Sequence, residues 1–473
     1  MRYEVVCGIE THIELATNTK IFCNCTTAFG GDPNTHCCPV CTGQPGSLPI
    51  LNKKVVEYAV RAGLAVHCKI NNISHMDRKN YVYPDLPKAY QISQYDEPIC
   101  EHGYIMLDSG KRIGITRIHI EEDAGKLIHE NGYTYIDYNR GGVPLIEIVS
   151  EPDISSPEEA KEYAEKLQLI MRYAGISDCK MQEGSMRCDV NVSLREAGTK
   201  EFGTRTETKN VNSLNFIQKA MYAEIERQTD ILEEGGIIVQ ETMRYDDVED
   251  SISPMREKEN SDDYRYFPDP DVIRFEIAQE KVEEIQKSLP ELPFDKLKRY
   301  IDELELPEAT ARQMFRYRRV AEFFEEALAE GASVKNASNL ITGTIYANMS
   351  IEEDKELFKV LITAKQFAGL VKLLDDKKIN FKMAQSTLQQ MLESGKAVEE
   401  YIKAEDMEGI SEDDLTKLCQ GAIDANPKAV EDIKAGKDRA INSMFGFIMK
   451  QSKGKADVKK AEAIIRELIS KMS

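Results

Sequence analysis

The chain has 473 residues, of which 41% are hydrophobic and 30% charged, and its formal net charge is −20. At roughly 100 to 200 residues per domain this length predicts about three domains, and the composition excludes a globally disordered chain. The negative balance argues against a uniformly basic nucleic-acid-binding surface, yet residues 427–473 carry 11 Lys and Arg against 6 Asp and Glu, while residues 1–426 carry 50 against 75. Ten of the 11 cysteines lie at or before Cys188 and all 7 histidines at or before His129, so thiol and imidazole chemistry belongs to the N-terminal part. An odd cysteine count argues against a disulfide framework. The first apolar stretch carries Glu4, Glu10, His12 and Glu14, which excludes a secretory signal, and no window approaches 18 uncharged apolar residues. A soluble, cytoplasmic protein without membrane contact is the expectation.

Up to about Pro293 short alternating segments are broken by Gly and Pro, the pattern of an α+β domain built on an antiparallel or mixed sheet. Glu10, His12 and Glu14 share one strand face. Next come Cys23 and Cys25, followed by Cys38 and Cys41, a spacing that suits a structural zinc site of four thiolates with no open coordination position. Cys37 competes with Cys38 as a ligand. Arg117, His119 and Glu121 share a second strand face, opposite Ile118 and Ile120. Glu147 stands alone in the apolar run VPLIEIV, where a charge needs a partner, a metal or a cleft.

Ser156, Pro157 and Glu159 form a capping box that opens a helix to about Tyr173, stopped by Gly175. Two more strand faces follow, Arg187, Asp189 and Asn191, then Arg205, Glu207 and Lys209. A second amphipathic helix is expected from about Leu214 to Glu234, ended by Gly235 and Gly236. Between Pro307 and Pro427 there is no proline, and helix-period segments run from Ala311 to Leu328, Ile351 to Leu361, Ala364 to Leu374 and Met383 to Leu392. The acidic stretch from Asp406 to Asp414 reads as a linker to a last helical module. The expected division is therefore 1–293, 294–405 and 406–473.

Glu and His ligands on a sheet surface suit Mg²⁺ carrying a nucleotide phosphate, and the alternative is a wet face of an antiparallel sheet. Lys79, Lys88, Lys126, Arg187, Arg205, Lys209, Arg244 and Arg265 supply the cations that a phosphoryl-transfer transition state requires, although each alone reads as a surface charge. No G-x-x-x-x-G-K-[ST] loop, kinase signature or G-x-S-x-G elbow occurs. In the tail, apolar and aromatic residues from Met444 to Met449 sit beside Lys450, Lys453 and Lys455, a pattern that holds RNA or simply packs a helical hairpin.

The strings IETHIEL, DRKNYVYPDLPKAYQISQYD, RIHIEEDAGK, NRGGVPLIEIVSEPDI, EGSMRCDVNVSLR, GTRTETKNVNS and DYRYFPDPD closely resemble, in order, the B subunits of the tRNA-dependent amidotransferases, the GatB family of the GatCAB complexes. The resemblance spans essentially the whole chain. It implies ATP- and Mg²⁺-dependent phosphorylation of the side-chain carboxylate of mischarged Glu-tRNA(Gln) or Asp-tRNA(Asn), followed by amidation. The ammonia comes from an amidase-type glutaminase subunit, and a small third subunit makes the assembly a heterotrimer. By resemblance His12, Glu122 and Glu147 are the Mg²⁺ ligands, with Glu10 and Glu121 as a second metal position or outer shell. Strand parity pairs Glu121 with His119, so a bulge near Glu122 is required and the choice between the two glutamates stays open. Lys79, Lys88 and His75 resemble residues of the ammonia route, and Arg205, Lys209 and Arg244 the phosphate-binding set. Met243 departs from the common pattern of a second arginine, so one phosphate contact is missing or supplied elsewhere. The resemblance also makes zinc a structural staple and the tail a YqeY-type tRNA-binding module that uses Lys450, Lys453 and Lys455.

Overall fold

The computed structural model describes residues 2–246, 249–257, 261–402, 412–434, 437–452 and 456–472. The chain divides into two compact units, Met1–Leu292 and Pro293–Ser473. A further division at 405/406 falls within 403–411, outside the described residues.

The first unit is built on a nine-stranded sheet. Its order is Ser251–Glu257, Glu241–Asp246, Thr206–Val211, Met186–Glu196, Tyr3–Glu14, Pro144–Ser150, Arg112–Glu122, Cys100–Met106 and Lys69–Ile70. All neighbours are antiparallel except Thr206–Val211 with Glu241–Asp246, which a helical connection makes parallel. Alternation sorts the side chains between two faces. Ile9, Ile13, Ile118, Ile120, Ile146, Ile148, Val190 and Val192 are buried. The helices Lys53–Ala65, Pro157–Ala174 and Leu214–Glu233 pack along this side of the sheet and against one another. The even-numbered residues of Tyr3–Glu14 point the other way.

Both expected helices of this unit carry the expected stops. The Ser156 hydroxyl accepts a hydrogen bond from the Glu159 backbone N–H at 3.2 Å, and Gly175 closes the helix in the left-handed region at φ 71°. Tyr163, Ala164, Leu167 and Met171 are fully buried on its inner stripe. A small sheet of Phe267–Pro268, Asp77–Asn80 and Tyr90–Ser93 lies against the Arg112–Glu122 strand.

The second unit is helical, and no strand follows Phe275–Glu276 among the described residues. The segment expected as one helix from Ala311 to Leu328 is two, Glu308–Phe315 and Arg318–Ala329. Tyr317 breaks it with extended backbone, its ring buried and its hydroxyl donating to Glu352 at 2.6 Å. The segment expected from Ile351 to Leu361 is helical only over Glu352–Leu357, because Phe358 turns into the left-handed region. Helices Ala364–Asp375 and Phe381–Ser394 extend the other two expected segments by a residue or two. In the tail Leu415, Cys419, Ile423, Met444, Ile448 and Ile465 form a closed apolar core. Among the described residues no helix is long and apolar enough to cross a membrane.

Candidate active site

Antiparallel register sets four polar residues abreast on the face of the large sheet away from the three helices. Arg187 lies opposite His12, His12 opposite Glu147, and Glu147 opposite His119. Directly paired residues stand close enough for their side chains to converge. His12 Nε2 is 3.5 Å from Glu121 Oε1 and 3.7 Å from Glu147 Oε2. His119 Nε2 is 3.1 Å from Glu147 Oε2 and 3.9 Å from Glu121 Oε2. The ligand atoms of His12, Glu121 and Glu147 all lie within 4.8 Å of one another, a donor set of one imidazole and two carboxylates that fits a hard divalent cation.

Burial alone would raise Glu147, but the imidazoles of His119 and His12 and the ammonium of Lys79 outweigh it and hold the carboxyl well below its ordinary range. Lys79 Nζ sits 4.9 Å over the Tyr264 ring. Its burial would lower its pKa, but Glu121, Tyr266 and Glu147 overcome that and raise it. Glu147 is therefore an anion and Lys79 a cation at neutral pH.

Glu122 is not part of this cluster. The strand runs in register through Glu121 and Glu122, and its irregularity lies instead opposite Val149 and Ser150. Without a bulge Glu122 points to the other side, where Oε1 is 2.6 Å and Oε2 2.8 Å from Lys88 Nζ, and Oε1 accepts from the Ile92 N–H at 2.9 Å. Of the two glutamates left open, the structure thus groups Glu121 with His12 and Glu147. Glu10 also stands apart, its carboxylate grouped within 4.8 Å with those of Asp189 and Glu207. Lys209 Nζ bridges that group at 2.5 Å from Asp189 and 3.5 Å from Glu207.

The remaining expected residues divide among separate surroundings. Arg187 donates to Asp123 Oδ2 at 2.9 Å, and Arg140 lies 3.5 Å from the same oxygen. Arg205 is exposed and lines a cavity of about 290 Å³ with Glu10, Asn191 and Phe202. Arg244 is exposed beside Lys209 in parallel register, whereas Met243, on the opposite face, is fully buried. His75 lies in a network of its own, 3.0 Å from both Asp77 and Asp96 and 3.1 Å from Glu97. Lys450 is exposed at the end of helix Asn442–Gln451, and Lys453 and Lys455 lie outside the described residues.

The four thiols of Cys23, Cys25, Cys38 and Cys41 lie within 4.8 Å of one another, with Cys38 Sγ 3.9 Å from Cys41 Sγ. Tetrahedral zinc at about 2.3 Å per bond sets sulfurs roughly 3.8 Å apart, so the group fits that ion. A hydrogen bond from Cys23 outweighs burial and, with the Cys38 backbone N–H and Lys20, lowers the Cys41 thiol to about 4. Cys37 is not in the quartet; its thiol faces Asn139 Oδ1 at 3.9 Å.

Sequence reasoning named His119 only as a marker of strand parity, and missed it as a site residue. Its Nδ1 is buried and without a hydrogen-bond partner among the described residues. Asp189 and Glu207 were likewise visible as strand-face residues and not as one group with Glu10.

The chain is thus a two-unit protein, an α+β unit that gathers carboxylates, imidazoles and lysines on one face of its sheet and a helical unit. The chain matches the GatB/GatE catalytic domain over residues 5–283 and the GatB domain over residues 322–469. It is 51% identical to the B subunit of the aspartyl/glutamyl-tRNA(Asn/Gln) amidotransferase of Thermoanaerobacter pseudethanolicus, 50% to that of Caldicellulosiruptor saccharolyticus and 48% to that of Bacillus velezensis, each over the whole of both chains. The chain belongs to the GatB family, the B subunits of the tRNA-dependent amidotransferases.

Proposed function

We propose that this chain converts the side-chain carboxylate of Glu-tRNA(Gln), Asp-tRNA(Asn) or both into the amide, using ATP and ammonia. The observation that carries the reading is the convergence of His12, Glu121 and Glu147 beside Lys79 on one sheet face. A free carboxylate is a poor acyl donor because oxide would have to leave. Its oxygen therefore attacks the γ-phosphorus of ATP, ADP leaves, and the resulting acyl phosphate carries a good leaving group. Ammonia then attacks the acyl carbon, and phosphate departs, taking up the proton that the nitrogen loses.

His12, Glu121 and Glu147 would hold Mg²⁺, which when bound supplies charge neutralisation for the phosphates. Lys79, which Glu121 and Glu147 keep protonated, offers positive charge to the oxygens of the transferring group. His119 braces Glu147 from the side opposite His12. Lys209 and Arg244, adjacent in the sheet, and the exposed Arg205 present cations for the nucleotide phosphates. Lys88, neutralised by Glu122, belongs to the route by which ammonia arrives. The ammonia source is an amidase-type glutaminase, held with this chain by a small third protein in a cytoplasmic heterotrimer. The cysteine quartet holds zinc as a structural staple, and the tail around Lys450 contacts tRNA.

The test is ATP cleavage stimulated by mischarged tRNA with no nitrogen donor present. Glu147→Gln is expected to lower it roughly a hundredfold or more, with tRNA affinity unchanged. Unaltered stimulation would remove the reading.

A further inference from the structure

Two of the four cysteines, Cys23 and Cys41, and the Lys88–Glu122 ion pair line one cavity. It measures about 230 Å³ and is lined by Cys23, Cys41, Gly43, Lys88, Tyr90 and Glu122. Two glycines set how closely its walls approach. The turn after Cys38 is closed by hydrogen bonds from Thr42 N to Cys38 O and from Gly43 N to Val40 O, both at 3.1 Å. Gly43 leaves that turn at φ +65°, with its backbone against the Lys88 stem. A Cβ there would sit 2.6 Å from Lys88 Cγ and 3.4 Å from the Lys88 backbone nitrogen. Across the cavity, a Cβ on Gly142 would meet Cys41 Cβ at 3.6 Å and Glu122 Oε2 at 3.9 Å. One turn of chain therefore bears two of the four thiols, Cys38 and Cys41, and ends on the contact surface of Lys88.

We propose that the four-cysteine turn is the positioning element of Lys88. A metal ion held by the thiols fixes residues 38–43, and this turn keeps the Lys88 stem in place so that its ammonium stays on Glu122. Without the ion only weak hydrogen bonds hold the thiols and close the turn, the turn loosens, and the ion pair loses one firm wall of its cavity. Its consequence for nitrogen delivery rests on the assignment of Lys88 to the ammonia route. The coupling itself does not.

The test uses the full-length chain in its complex, treated briefly with an amine-selective acylating reagent and read by peptide mass spectrometry. Labelling of Lys88 is compared between zinc-loaded and chelator-stripped protein, with the exposed Lys365 as internal standard. Stripping is expected to raise Lys88 labelling roughly tenfold relative to Lys365, the factor that follows from losing one charge-assisted hydrogen bond. Because stripping also loosens the fold, Gly43→Ala provides a second arm. It is expected to raise Lys88 labelling, since the added methyl would meet the Lys88 stem and no thiol, and its zinc content is measured alongside. Equal Lys88 labelling in loaded and stripped protein overturns the proposal, whatever Gly43→Ala does. In the same samples, a glutamine-driven rate that falls further than the ammonium-driven rate supports the ammonia assignment. Equal falls with raised Lys88 labelling would uphold the coupling and remove only that assignment.

Discussion

At the scale of single residues, the account turns on which glutamate joins His12 and Glu147. Strand parity already favoured Glu121 in the sequence, because RIHIEE puts His119 and Glu121 on one face, while the resemblance favoured Glu122 and required a bulge. The structure has no bulge there, so Glu121 stands beside His12 and Glu147 while Glu122 pairs with Lys88. The two substitutions therefore separate. Glu121→Gln is expected to raise the Mg²⁺ concentration for half-maximal activity roughly tenfold or more, whereas Glu122→Gln leaves that concentration within about twofold of the parent and acts on ammonia use. Magnesium titrations of both variants decide this, and a reversed order would return Glu122 to the metal. His119 was hidden because its role depends on a partner 28 positions later in the chain: only register shows that it stands beside Glu147.

At the scale of elements, the strands and the two capped helices of the first unit were legible because each carries a local signal: alternation for the strands, Ser156 with Glu159 and a terminal Gly175 for the helix. The helical middle was less so. Its period-3.6 pattern runs unbroken through Arg316 and Tyr317, and the break comes from burying a tyrosine whose hydroxyl reaches Glu352, a tertiary contact with no local mark. The segment at the start of the small sheet offers a pH test. His75 joins the Asp77–Asn80 strand to Asp96 and Glu97, and Glu97 also meets Arg274 at 2.6 Å. Burial would lower the His75 pKa, but Glu97, Asp77 and Asp96 raise it above its ordinary value. A histidine raised on folding contributes stability that is fully present below its unfolded pKa of about 6.5 and is lost as pH rises through the folded value. His75→Gln is accordingly expected to cost about 0.5–1 kcal/mol near pH 6 and little at pH 9, as read by denaturant titration. A cost independent of pH would contradict the assignment of charge to this imidazole.

At the scale of the whole molecule, composition pointed to several domains and to a basic C-terminal end within an acidic chain, and long motifs pointed to the family. What composition did not reveal is how the functional residues are shared among neighbouring strands. Glu10, His12 and Glu14 occupy one face, yet Glu10 groups with strands on one side and His12 with strands on the other. The tail gives a further expectation. Ending the chain after Asn426 removes a net +5, counted from 11 basic and 6 acidic residues, and is expected to weaken tRNA binding and flatten its salt dependence. Affinity and salt slope equal to those of the full chain would exclude a role for the tail.

The central claim is that activation and amidation of the carboxylate both occur on this chain. The most direct measurement supplies the assembled complex with Glu-tRNA(Gln) or Asp-tRNA(Asn), ATP, Mg²⁺ and ammonium, without glutamine, and follows the amidated tRNA. Product should form with the parent chain and disappear with Glu147→Gln, although the variant still binds the tRNA. If neither tRNA is amidated by the parent, or if Glu147→Gln forms product at the parental rate, the sheet face around His12, Glu121 and Glu147 is not where the amide is made.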